Sequence, residues 1–130
     1  MNLQLNHTFV WCRDKGTSAA FLTEIFGLAD PVPFGSMLVV QLDNNVSLDF
    51  RETDAEILPN HYAFLISEVD FDQVLDRFRS RGLPYWADPE KRRPGEVFRH
   101  NGGRGMYFDD PDGHILEVMT RPYALDDTPT

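Results

Sequence analysis

Apolar and polar positions alternate through Leu5–Trp11, where β-branched and aromatic residues mark a half-buried strand. The period then lengthens. From about Thr17 to Phe26 the spacing predicts a helix, with Ala20, Phe21 and Phe26 supplying much of its apolar stripe and Gly27 as its stop. Two strands follow, Gly35–Leu42 and Val46–Phe50, around a turn at Asp43-Asn44-Asn45, and a polar loop closes at Pro59. The same order then restarts. Asn60–Ser67 matches the first strand, with His61 in the place of His7. Asp70 with Gln73 is a capping-box pattern, and Phe71, Val74, Leu75 and Phe78 fall on one helical face that ends at Gly82 and Pro84. Leu83–Asp88 is a short-strand candidate and Pro89–Gly103 a long basic loop. Gly105–Asp110, an Asp-Pro-Asp-Gly turn and His114–Thr120 form a closing hairpin.

Strand, helix, then two or three antiparallel strands are thus stated twice, a repeat of roughly half the chain. Side chains alternate in direction along a strand, so parity sorts them into layers. Ile115, Glu117 and Met119 face one way, and His114, Leu116 and Val118 the other. Ser47 and Asp49 oppose Val46, Leu48 and Phe50, and His61 opposes Tyr62, Phe64 and Ile66. Packing each helix on the bulkier face turns His61, Asp49 and Glu117 toward a common surface, joined by His7, Phe9 and Trp11.

Glu117 is out of place in its apolar run. A buried carboxylate costs several kcal/mol unless something compensates it. A cationic partner such as Arg104, a raised pKa and a metal are the three answers. A buried histidine is more often a hydrogen-bonded core residue than a ligand. Two histidines at matching repeat positions with one carboxylate nevertheless form a triad suited to Fe(II), and workable for Mn, Ni or Zn.

Length and composition frame this reading. The chain has 130 residues, enough for one domain with a real core. Twelve Lys and Arg stand against 21 Asp and Glu, a net charge of −9, which argues against nucleic acid and anionic membranes as partners. Cys12 is the single cysteine and reads as a strand residue. With no apolar run long enough to span a bilayer and no signal-peptide pattern, a cytoplasmic location is expected.

The stretches "LNHTFVWCRDKGTSAAFLTEIFGL", "NHYAFLISEVDFDQVLDRFRSRG" and "GGRGMYFDDPDGHILEVMT" resemble the vicinal oxygen chelate superfamily, which includes glyoxalase I, the fosfomycin-resistance thiol transferases, extradiol dioxygenases and bleomycin-resistance proteins. The resemblance implies an α+β fold of two βαβββ modules in a cup-shaped mixed sheet with helices outside. Module 1 would span about 3–52 and module 2 about 60–122, ahead of a tail at 123–130. It also implies a divalent metal (Fe, Mn, Ni or Zn) on His7, His61 and Glu117, and a homodimer with shared sites. Asp49 stands where glyoxalase-like members have a fourth carboxylate, but it is one methylene shorter.

Under that resemblance the expected function is a metal-dependent lyase, isomerase, ring-cleaving dioxygenase or thiol transferase. Its substrate would be a small organic molecule chelated through adjacent oxygens. Tyr107 is a hydrogen-bond donor to a developing oxyanion, and Arg104 a partner for an anionic group. Phe9, Trp11, Asp49, Trp86 and Met119 line the substrate side. The alternative is a metal-free sequestering protein of the bleomycin-resistance kind, using its aromatics as stacking walls. His100 and His114 are not expected to ligate. The glycines of "NGGRG" make no phosphate loop, because no Lys-Ser/Thr follows and a strand comes next.

Overall fold

The computed structural model describes residues 1–125. They divide into two compact bodies. The first is Met1–Pro59 with Asp110–Gly113, and the second is Asn60–Asp109 with the residues from His114 onward. The tail expected at 123–130 lies, from residue 126, outside the described residues.

In the first body, β1 (His7–Cys12) is followed by α1 (Lys15–Phe26), β2 (Val32–Phe34), β3 (Met37–Gln41) and β4 (Ser47–Glu52). The sheet order is β1-β4-β3-β2, with β1 parallel to β4 and the other pairs antiparallel. Helix α1 starts two residues before the expected Thr17, because the Asp14 side chain accepts from the Thr17 N–H at 2.9 Å and caps the first turn. Gly27 ends it in the left-handed region at φ 64°. The buried stripe differs from the expected one. Ala19, Leu22 and Ile25 are buried, whereas Ala20, Phe21 and Phe26 are only half-buried. Docking on β3 and β4, through Val40, Leu48 and Phe50, selects that face.

The Asp-Pro-Asp-Gly turn belongs to this first body. Asp112 accepts from the Arg13 N–H at 3.2 Å and from the Ser18 hydroxyl at 2.7 Å, and so fastens the entry to α1. Cys12 is fully buried nearby, and its thiol is pushed up to about 11 by burial and by Asp112, Glu52, Asp110 and Asp14.

The second body repeats the plan with β5 (His61–Leu65), α2 (Glu68–Arg81), β6 (Phe98–His100), β7 (Gly103–Asp109) and β8 (Ile115–Met119), in the order β5-β8-β7-β6. Phe71, Val74, Leu75 and Phe78 of α2 are all buried, as their spacing predicts. The cap is Ser67, not Asp70: its hydroxyl accepts from the Asp70 N–H at 3.0 Å, so Asp70 sits inside the first turn. Two parts of the sequence reading change here. Leu83–Asp88 forms no strand but two isolated bridges at Trp86, one to Pro94 and one to Tyr107, the latter with N–H···O bonds of 2.9 and 2.8 Å. The basic loop contains β6, which pairs with the start of β7. It is also well tied, because Asp88 accepts from the Arg92 and Arg93 N–H groups.

Each body therefore holds one helix against one face of a four-stranded mixed sheet, the paired βαβββ plan. No helix among the described residues is long and apolar enough to cross a membrane.

Candidate metal centre

Register decides which side chains meet on the free face of the second sheet. His61 pairs with Ile115, Ala63 with Glu117 and Leu65 with Met119 across the parallel β5–β8 ladder. Tyr107 stands directly opposite Glu117 on β7. These residues share one face, while Tyr62, Phe64, Leu116 and Val118 turn to the helix side. The parity reading of this sheet holds.

On that face His61 Nε2 lies 3.1 Å from Glu117 Oε1, and His61 Nδ1 lies 2.9 Å from the Ile115 carbonyl. A carbonyl can only accept, so Nδ1 carries a proton. In neutral imidazole the Nε2 lone pair then points at the carboxyl group, and two acceptors at that distance need a proton or a metal ion between them. The proton can come from the Glu117 acid, whose pKa burial raises, or be a second one on His61; a metal ion is the other bridge. Donors about 2.1 Å from one ion and about 90–110° apart lie about 3.0–3.4 Å from each other. The observed separation falls in that range. An Nδ1–H bonded to a backbone carbonyl is also the usual support of a ligating imidazole. The pair therefore fits a divalent metal.

Glu117 is 7% exposed. Burial raises its pKa, while the His61 charge and the hydrogen bonds from Tyr107 and His61 oppose the rise. The Tyr107 hydroxyl donates to it and is itself held up to about 12 by burial and by the Glu117 charge. The Tyr107 ring stacks with His61 at 6.1 Å between centroids. Trp86, bridged to Tyr107, carries the Lys91 ammonium 4.8 Å above its ring, and Lys91 also pairs with Asp109. Met119 is buried at the end of β8.

Arg104 is not part of this face. Its neighbours on the same side of β7 are Met106 and Phe108, and it turns toward α2. There its guanidinium meets Glu68 at 2.7 Å and Asp72 at 2.8 Å, and it lies 4.6 Å from the Phe71 ring centroid. The expected role as a partner for a substrate anion or for Glu117 is corrected accordingly. The parity of Arg104 against Tyr107 was enough to find this. His114 behaves as expected of a core histidine. It is fully buried, with Nδ1 accepting from the Asn60 N–H at 3.0 Å.

In the first body, His7, Phe9 and Trp11 share a face with Ser47, Asp49 and Arg51 through the β1–β4 register. Asp49 is 7% exposed and accepts from the Ser47 hydroxyl at 2.9 Å. Phe9 and Trp11 meet edge to face at 5.8 Å, with the Arg51 guanidinium 5.2 Å and 5.5 Å from their ring centroids. His7 Nδ1 lies 2.8 Å from Asn6 Oδ1. Among the described residues no three His, Cys, Asp or Glu side chains gather closely enough to hold a metal ion.

One residue of the second face was missed in the sequence. Phe98 lies in what reads as a basic loop, yet its ring is 5.7 Å from that of Tyr107. The usable signal was a glycine, Gly105, at the register position opposite it, but that register is visible only in the folded sheet.

Comparison with known proteins agrees with this architecture. The family model for the glyoxalase/bleomycin resistance protein/dioxygenase superfamily matches residues 4–118. The glutathione transferase FosA of Serratia marcescens is 30% identical over 120 residues, covering 88% of this chain and 78% of its own. Among solved structures, Oxidase ChaP-H1 superposes with a TM-score of 0.92 at 54% identity, over 95% of this chain and 99% of that one. Oxidase ChaP-H2 gives 0.92 at 52%, over 95% and 98%. The chain belongs to the glyoxalase/bleomycin resistance protein/dioxygenase superfamily.

Proposed function

We propose that this protein is a metal-dependent oxidase acting on a small organic substrate that presents two adjacent oxygens. One observation carries the reading. In a chain more than half identical to two proteins named oxidases, a buried carboxyl group faces the Nε2 edge of an imidazole at 3.1 Å. Identity to the glutathione transferase is much lower, at 30%, which favours oxidation over thiol transfer.

His61 and Glu117 would hold the metal, with His7 as third ligand, in a homodimer whose sites are shared. A divalent ion there supplies Lewis acidity toward the two substrate oxygens and, as Fe(II), a route for electrons to dioxygen. The chain's own residues do the rest. The Ile115 carbonyl fixes the His61 tautomer, so Nε2 is always the ligating edge. Tyr107 holds Glu117 by its hydroxyl and keeps its own proton across the physiological range. Its single O–H is given to the carboxylate, and it would donate to a substrate oxygen only by turning away from Glu117. Trp86 and Met119 would supply substrate-facing surface on the second sheet, and Phe9, Trp11 and Asp49 would do so on the first.

The test is metal analysis of the purified protein, followed by loading with Fe(II) without air and addition of a catechol in oxygenated buffer. Oxygen uptake that requires both iron and the catechol supports the reading. Consumption of glutathione without oxygen uptake would assign a transferase instead. Protein that takes up no metal yet binds the catechol unchanged would assign a sequestering role.

A further inference from the structure

Phe98 fills the space that a side chain at position 105 would occupy. A methyl group on Gly105 would collide with the Cζ and Cε2 atoms of that ring and come within 2.7 Å of the Val118 carbonyl. The ring therefore lies over bare backbone of β7. Gly105 shares its face with Tyr107, and the ladder sets these two opposite Met119 and Glu117. Phe98, Tyr107 and His61 thus form a row across the sheet, with centroid spacings of 5.7 Å and 6.1 Å. Glu117 is hydrogen-bonded to the last two.

The chemistry of that row is one-sided. The π surfaces are next to the His61–Glu117 pair, while Arg104, on the neighbouring residue, is turned to the opposite face and neutralised there by Glu68 and Asp72. Neither Gly103 nor Gly105 contributes a side chain on this side of β7: Arg121 and Thr120 take the space beside Gly103, and Phe98 takes that beside Gly105.

We propose that Phe98 is a specificity-determining residue: seated in the notch left by Gly105, it selects substrates whose two adjacent oxygens are carried on an aromatic ring. This rests on the metal-dependent reading of the same site. The ring would stack on Phe98 while its oxygens face His61 and Glu117, and an aliphatic chelator would gain nothing from the wall.

Calorimetry on zinc-loaded protein, which binds without turnover, separates the two ideas. Catechol and acetohydroxamate both chelate through adjacent oxygens, but only catechol has a ring. Phe98→Ala should weaken catechol binding about 3- to 10-fold, the worth of one aromatic contact, and change acetohydroxamate binding less than about twofold. Phe98→Leu, which keeps the packing on Gly105, should show the same ring-specific loss, and Phe98→Tyr should restore wild-type binding. Equal losses for both chelators, or no loss for either, would overturn the assignment of Phe98 while leaving the metal reading intact. A wild-type protein that holds no zinc, or binds neither chelator, would overturn both.

Discussion

Tyr107 and Glu117 face each other across the β7–β8 ladder, and the tyrosine hydroxyl donates to the carboxylate. That hydrogen bond orients an acid that sits 7% exposed among Leu116, Val118 and Met119. Tyr107→Phe removes the donor and nothing else. Metal affinity should fall about 10- to 100-fold, as for other residues that support a ligand without touching the ion. Titration with a chelator of known strength measures it, and an unchanged affinity would show the hydroxyl to be idle.

The ligands themselves should behave differently. His61→Ala and Glu117→Ala should each abolish stoichiometric metal retention, with the far-ultraviolet dichroism preserved because both lie on the free face of the sheet. Elemental analysis after gel filtration reads the result; full occupancy in either variant contradicts the site.

Protons compete with the metal at Glu117. Its pKa is raised by burial, so metal uptake should weaken at a higher pH than an ordinary glutamate would allow. In the metal-free protein the same shift acts on stability with the opposite sense. The neutral acid is favoured, so the contribution is fully present below the ordinary glutamate pKa and is lost as pH rises through the raised value. Glu117→Gln should flatten both dependences, measured by metal titration and by urea unfolding across pH 4–7.

The face carrying these residues was legible before folding, because a strand has a strict two-residue period. His61, Glu117 and Tyr107 fall together by parity alone, and the buried face of α2 follows from Phe71, Val74, Leu75 and Phe78. Helix α1 was harder. Its sequence is apolar on several sides, so the choice of Ala19, Leu22 and Ile25 over Phe21 and Phe26 belongs to the sheet it docks on. Phe98 was harder still. Its neighbours Lys91, Arg92, Arg93 and Arg99 make the segment look solvated, and only pairing with Gly103–Gly105 turns three of its residues into a strand.

Arg104 offers a separate test of the corrected assignment. Its ion pairs with Glu68 and Asp72 are partly exposed and its stacking on Phe71 is modest, so Arg104→Ala should cost about 1–2 kcal/mol. Metal content and catechol binding should not change. Thermal unfolding together with ligand titration decides between a clamp on α2 and an anion site.

Cys12 should be inert. Its thiol is fully buried, and burial pushes it up from the ordinary 9.0 to about 11, so the folded state favours the protonated form. The associated stability is complete below pH 9 and is lost as pH climbs from there through about 11, roughly 2–3 kcal/mol in all. Native protein should resist a disulfide reagent at pH 8 and react only on unfolding. Cys12→Ala should be less sensitive to base than wild type in that window.

The grip of Asp112 on Arg13 and Ser18 bears on how the duplicated halves could ever be parted. A fragment cut at Pro59 would look like a whole module on paper, yet its helix would keep only the Asp14 cap and lose the second carboxylate at its entry, Asp112, supplied from 99 residues beyond Arg13 by a turn between two strands of the other copy. The first copy has thus become a ward of its sibling, and shuffling it alone into a new protein would mean carrying that turn along or inventing a substitute.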